Sequence, residues 1–192
     1  MAVADRSTFK GRLDALGVTV TEGPETACAE LVDEATGDPA VGVALGAGRD
    51  GGADRDDPTL PLPDRIETEP TTADLRAAHT GVTAANLGVA AYGSVAIEAD
   101  RAGTEPVSLF VDRHVVVLRE SDLVPDMPDA FEWLGPRTRN DAVDVVFATG
   151  PSATADMGGL VRGAHGPKAV HVVLLRDDDA TDATDQGVVS DE

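Results

Sequence analysis

The sequence predicts an α/β domain whose sheet is mainly parallel. Three observations point there. Aromatic residues are only 3% of a chain that is 42% hydrophobic, so Val, Leu, Ala and Ile have to build the core; these side chains suit strands buried on both faces. The amino-terminal segment alternates helix and strand patterns. Residues 145–175 then run apolar stretch, glycine turn, polar stretch, apolar stretch, the order of a βαβ unit. A length of 192 residues suits a single domain.

Phe9, Leu13 and Leu16 recur at helical spacing in residues 5–16, and Gly17 closes that helix. Val18 to Val20 is a short extended stretch. Pro24 stands where a helix can begin, with Cys28, Leu31 and Val32 as its apolar stripe. Cys28 reads as a small core residue, because no cationic neighbour in sequence would activate its thiol. Val41 to Leu45 is the next strand, and Gly46 to Pro63 a loop at the surface or at the rim of a site. Thr71 or Thr72 caps a short helix through Leu75 and Ala78, and Thr83 a further one through Leu87 and Ala90. His79, between them, reads as a structural hydrogen-bonding residue. Gly93 and Ser94 mark the passage from helix into the strand Val95–Glu98. After a polar loop over Arg101–Pro106, Val115 to Leu118 is a strand with Arg113 and His114 at its start. Arg113 is placed to fix an anion and His114 to face a pocket, or the two are a surface arginine beside a half-buried histidine. Met127, Ala130, Phe131 and Leu134 form a helical stripe.

In the carboxy-terminal stretch Val145 to Ala148 is a strand, and Thr149-Gly150-Pro151-Ser152 turns the chain. Ser152 or Thr154 then N-caps a short helix with Asp156 in its first turn. Gly163 to Pro167 breaks that helix, and Val170 to Leu175 is the second strand of the unit. Such a turn aims backbone N–H groups and a helix N-terminus over the carboxyl edge of a sheet, where phosphate or carboxylate binds. The same residues also fit a strand-to-helix turn with no ligand. His165 adds a ring suited to moving a proton near neutral pH, and Lys168 adds a point charge. No serine–histidine–acid order stands out, and Asp156 reads as a capping charge.

Thirty-five acids, 24 of them Asp, oppose 15 bases, of which 13 are Arg, for a net charge of −20. Nucleic acid is not an expected partner, since its binding needs basic surface. Acids spread through every segment, with lysine scarce, read as adaptation to high salt, where repulsion is screened over about 3 Å at 1 M. No apolar run reaches the roughly 20 residues of a membrane span. No apolar signal segment opens the chain, so a cytoplasmic location is expected. The one cysteine, Cys28, makes neither an internal disulfide nor a cysteine metal cluster. No metal site and no phosphate-loop or dinucleotide motif is found. Residues 177–192 carry seven acids and no Lys or Arg and are expected to be a disordered tail. Residues 1–176 are then one domain.

T-G-P-S-A-T-A-D at 149–156 followed by G-A-H-G-P-K at 163–168 resembles the carboxy-terminal signature of the LUD domain family, which lactate utilization proteins typify. Upstream, Gly81-Val82-Thr83 to Gly93-Ser94 and Ser108-Leu109-Phe110 to His114-Val115-Val116-Val117 extend it, so that it covers roughly residues 70–176. The resemblance implies a three-layer α/β/α fold like that of the ribose-phosphate isomerase, glucosamine-phosphate deaminase and CoA-transferase group. It implies a component of a lactate-oxidation system acting beside separate iron–sulfur proteins, with no cofactor held by this chain. An acyl- or CoA-transferase-like enzyme, or one handling a carboxylate or phosphate, is the alternative; a small-anion-binding or scaffold module without catalysis is another. The family usually carries an acid two positions before the glycine at 93, where this chain has Ala91. That departure leaves open whether the isolated chain is an enzyme. The expected site comprises Gly93, Ser94, Arg113, His114, Gly150, Pro151, Ser152, Thr154, His165 and Lys168 around a small carboxylate or phosphate. Self-association stays open.

Overall fold

The computed structural model describes residues 5–46, 59–140, 142–156 and 159–176. Most of the loop expected at 46–63, and the acidic tail at 177–192, lie outside them. The chain runs α1 (Arg6–Ala15), β1 (Thr19–Pro24), α2 (Cys28–Ala35), β2 (Ala40–Gly42), α3 (Thr72–Ala77), β3 (Thr80–Ala84), β4 (Leu87–Val89), β5 (Ser94–Glu98), α4 (Thr104–Leu109), β6 (Arg113–Arg119), β7 (Leu123–Val124), α5 (Met127–Asn140), β8 (Val145–Thr149), β9 (Ala153–Asp156), β10 (Gly159–Arg162) and β11 (Ala169–Arg176).

Five strands form a parallel central sheet in the order β1-β11-β6-β3-β2. Its middle strands, β6 and β11, read HVVVL and VHVVLL because both of their faces are buried. Alternate residues go to opposite sides. Val115, Val117, Val173 and Leu175 meet Cys28, Val32 and Ala35 of α2, together with Leu45, Leu60 and Ile66. Val116, Leu118, Val172 and Leu174 meet Phe9 and Leu13 of α1 and Val95 and Ile97 of β5. Each such aliphatic side chain contributes about 1.5–3 kcal/mol on full burial. Helix α1 starts where the Asp5 carboxylate accepts the N–H groups of Ser7 and Thr8. Helix α3 starts in a capping box between Thr71 and Asp74. Burial raises the Cys28 thiol to about 11, which makes it an unreactive core group.

The mainly parallel sheet between helices agrees with the sequence reading, but the layer on the α1 side holds something unforeseen. A second, four-stranded sheet, β7-β4-β5-β8, packs there. Thr83, Leu87 and Ala90 therefore do not form a helix: Thr83 is in β3 and Leu87 in β4. Helical spacing of apolar positions was outweighed by packing, for a Cβ at Gly88 would stand 2.6 Å from the side chains of Leu118 and Leu123. Gly93 closes a turn between two antiparallel strands and Ser94 opens the second of them, so the pair marks no helix end. The second half of the expected polar loop, from Thr104 to Pro106, continues through Leu109 as α4.

The βαβ unit is also corrected. Strand β8 pairs antiparallel with β5 in the small sheet, while β11 lies between β1 and β6 in the central one. Between them, β9 and β10 form an antiparallel hairpin instead of a helix. Ser152 and Thr154 accordingly cap no helix, and Asp156 ends a strand.

Candidate functional site

Where the two sheets diverge, a cleft of about 330 Å³ opens. It lies beside the amino-terminal ends of β6 and β11, not over the carboxyl edge of the central sheet. Its floor is apolar: Leu13 of α1, Val95 of β5, Val146 and Ala148 of β8, and Val170 and Val172 of β11. Its rim is the pair of turns that the sequence singles out, Thr149-Gly150-Pro151-Ser152 and His165-Gly166-Pro167.

The turns are stitched together. The Ser152 N–H donates to the Pro167 carbonyl at 2.8 Å, and the Gly163 N–H to the Ser152 carbonyl at 3.0 Å. The His165 N–H donates to the Ser152 hydroxyl at 3.3 Å. A Cβ at Gly166 would stand 3.3 Å from the Ser152 Cβ, a tight contact that would push the two segments apart by a few tenths of an ångström. Gly150 has φ +68°, and its α-carbon faces Leu16 of α1; it sets the direction of the turn. Among the described residues, the N–H groups of Gly150 and Gly166 take no part in the backbone bonds that join the turns.

His114 lies beneath the rim, 2% exposed. Its Nε2 is 2.9 Å from the hydroxyl of Thr83 on β3. Burial without a charged partner lowers it to about 4, so the ring is neutral at pH 7. Among the described residues Nδ1 has no hydrogen-bond partner. Where Thr83 donates to Nε2, Nδ1 carries the proton and offers a donor; in the other tautomer it offers an acceptor.

The structure brings Gly93, His114, Gly150, Pro151, Ser152 and His165 to one cleft. Ser94 stands behind it, its hydroxyl 2.7 Å from that of Thr149. Three expected residues lie elsewhere. Thr154 is on β9, opposite Val161. Lys168 is exposed and pairs with Asp112 at 2.8 Å, which holds the Asp112 carboxyl below its usual range. Arg113 points to the opposite face of the central sheet and donates to His171 Nδ1 at 3.0 Å. Sequence reasoning missed Thr83 and Thr149 as partners of site residues. It also missed the floor, which needs the second sheet before it exists.

Among the described residues the lining contains no Asp or Glu, in a chain that carries 35. Two imidazoles, two hydroxyls and turn amides in an acid-free cleft suit a small anion. Among the described residues no cluster of three or more His, Cys, Asp or Glu is arranged to hold a metal ion. No helix among them is long and apolar enough to cross a membrane.

Fold and cleft together define an α/β protein with a cleft between a parallel and a mixed sheet. The chain belongs to the LUD domain family, whose model matches residues 11–175. It is 31% identical over 105 residues to lactate utilization protein C of Bacillus velezensis, covering 52% of this chain and 43% of that one. Proteins of the same name from Macrococcus caseolyticus and an Exiguobacterium species are 30% and 31% identical, over 50% and 52% of this chain and 44% and 45% of theirs. The matches thus span less than half of each relative. A solved DUF162 family protein from Deinococcus radiodurans shares the fold, with a TM-score of 0.63 and 19% identity over 88% of this chain and 94% of that one.

Proposed function

We propose that the chain serves lactate utilization by holding a small carboxylate in the cleft, beside partner proteins that carry iron–sulfur clusters and the electrons. The observation that carries this reading is the convergence of the Gly150–Ser152 and His165–Pro167 turns on one acid-free cleft above neutral His114. The names of the relatives supply lactate as the first carboxylate to test. In this reading the turn N–H groups and the Ser152 hydroxyl hold the carboxylate. His114 Nδ1 pairs with the hydroxyl or carbonyl oxygen beside it, and His165 at the rim moves a proton. Cys28 is the only cysteine of the chain, so an iron–sulfur cluster bound through cysteine belongs to a partner.

Ala91 places no carboxylate at the corner before Gly93, and none lines the cleft, which favours a binding subunit over an enzyme acting alone. The test is calorimetric titration of the parent and His114→Phe proteins with L-lactate, pyruvate and phosphate in molar KCl. Binding of a carboxylate by the parent, weakened at least tenfold in the variant, is the expected result. Equal affinity of the two proteins removes the cleft from the reading. Turnover of lactate by the purified chain would favour the stand-alone enzyme.

A further inference from the structure

We infer that the cleft takes a carboxylate with an apolar body larger than that of a three-carbon acid: an aliphatic 2-hydroxy or 2-oxo acid of medium length. The inference rests on the carboxylate reading above and narrows its ligand class.

The rim and the floor differ in chemistry. Hydrogen-bonding groups at the rim, those of Ser152, His165 and the turn amides, suffice for a carboxylate. Beneath them Leu13, Val95, Val146, Ala148 and Val172 present only carbon. A volume of about 330 Å³ is at the lower end of cavities that enclose ligands of drug size, roughly 300–1,000 Å³, and is far more than lactate fills. Lactate seated at the rim would leave the floor to water that finds no partners on the aliphatic side chains.

The single polar group in the buried part of the lining is His114, 2% exposed, with Nδ1 unpartnered. The cleft reaches this nitrogen, so water, or one oxygen or hydroxyl of a bound ligand in its place, can pair with it. The ligand is thus an acid at one end, apolar over most of its length, with one neutral polar atom.

The test is titration of the full chain, in molar KCl, with lactate, 2-hydroxybutanoate, 2-hydroxyhexanoate and 2-hydroxyoctanoate, with octan-1-ol as the neutral control. Affinity should rise about fourfold for each methylene buried, until the floor is full. Val146→Phe, a change on the half-buried strand β8 that fills the floor, should erase that rise along the series; circular dichroism checks its fold. Binding of the longer acids alone, with lactate too weak to detect, also supports the inference. Detectable lactate binding with flat affinity along the series overturns it and leaves the carboxylate site standing. Octan-1-ol binding as tightly as 2-hydroxyoctanoate overturns the carboxylate reading and this one with it, as does failure of the whole series to bind.

Discussion

His114 and His171 stand on neighbouring strands of one sheet and face opposite ways. Each is buried and neutral, lowered to about 4. His171 points to the α2 side, and both of its nitrogens are used. Arg113 donates to Nδ1, which leaves the proton on Nε2 to reach the Thr21 hydroxyl at 3.1 Å. His114 points to the cleft side and uses one nitrogen. The pairing register sets this difference, since His114 lies opposite Val170 while His171 lies opposite Val115. Burial and a lowered pKa therefore do not distinguish a structural histidine from a site histidine. The unused valence facing a cavity does.

The largest expected effect tests what the two share. A histidine whose folded pKa is below its unfolded value binds its proton more readily in the unfolded chain. Its stabilising contribution is therefore full above about 6.5 and is lost as pH falls toward 4. Each group steepens the loss by about 1.4 kcal/mol per pH unit, so the pair removes several kcal/mol across that window. Denaturant unfolding at constant molar KCl should show the slope, halved in His114→Gln. An unchanged slope in the His114→Gln, His171→Gln double variant would show that neither ring is held neutral by burial.

The next effect separates the two. His171→Ala strands Arg113 and Thr21 and opens a hole in a filled face, which should cost about 2–4 kcal/mol. His114→Ala loses the Thr83 bond beside an existing cleft and should cost about 1–2 kcal/mol. Ligand affinity should move the other way, falling in His114→Ala and holding in His171→Ala. Similar ligand losses in both variants would break the distinction between the faces.

A weaker effect concerns the surface against the cleft. Among the described residues the acids stand outside the cleft lining, and the net charge of the chain is −20. Molar KCl should screen their repulsion and raise the melting temperature by several degrees between 0.1 M and 2 M. A flat or falling Tm would count against salt adaptation.

The parallel sheet was legible because buried strands such as HVVVL and VHVVLL announce themselves through composition alone. The rim was legible too, since glycine, proline and histidine in the two turns have few other uses. The small sheet was not. Strand β4 is three residues long, and its helix-like spacing with Thr83 and Ala90 yields to packing that only the folded partners Leu118 and Leu123 supply. The face to which Arg113 turns depends on strand register, and the partner of Lys168 is 56 residues away in sequence (168 − 112). Neither can be read from a local pattern.

Lys168 gives the smallest expected effect and the cleanest separation of sequence signature from site. It belongs to the His165-Gly166-Pro167-Lys168 motif, yet its ammonium lies 2.8 Å from Asp112, with both side chains about half exposed (57% and 51%). Pairs so exposed contribute about 0–1 kcal/mol, because water and salt screen them. The lysine stem has a second contact, since a Cβ at Gly163 would come within 2.5 Å of the Lys168 Cγ; the side chain lies against the turn that carries Gly163. Lys168→Ala should therefore lower stability by less than about 1 kcal/mol, and less still in molar KCl. Carboxylate affinity should stay within about twofold of the parent. A tenfold loss of affinity with stability unchanged would mean that the ammonium leaves Asp112 for the ligand, and the rim would then include a cation.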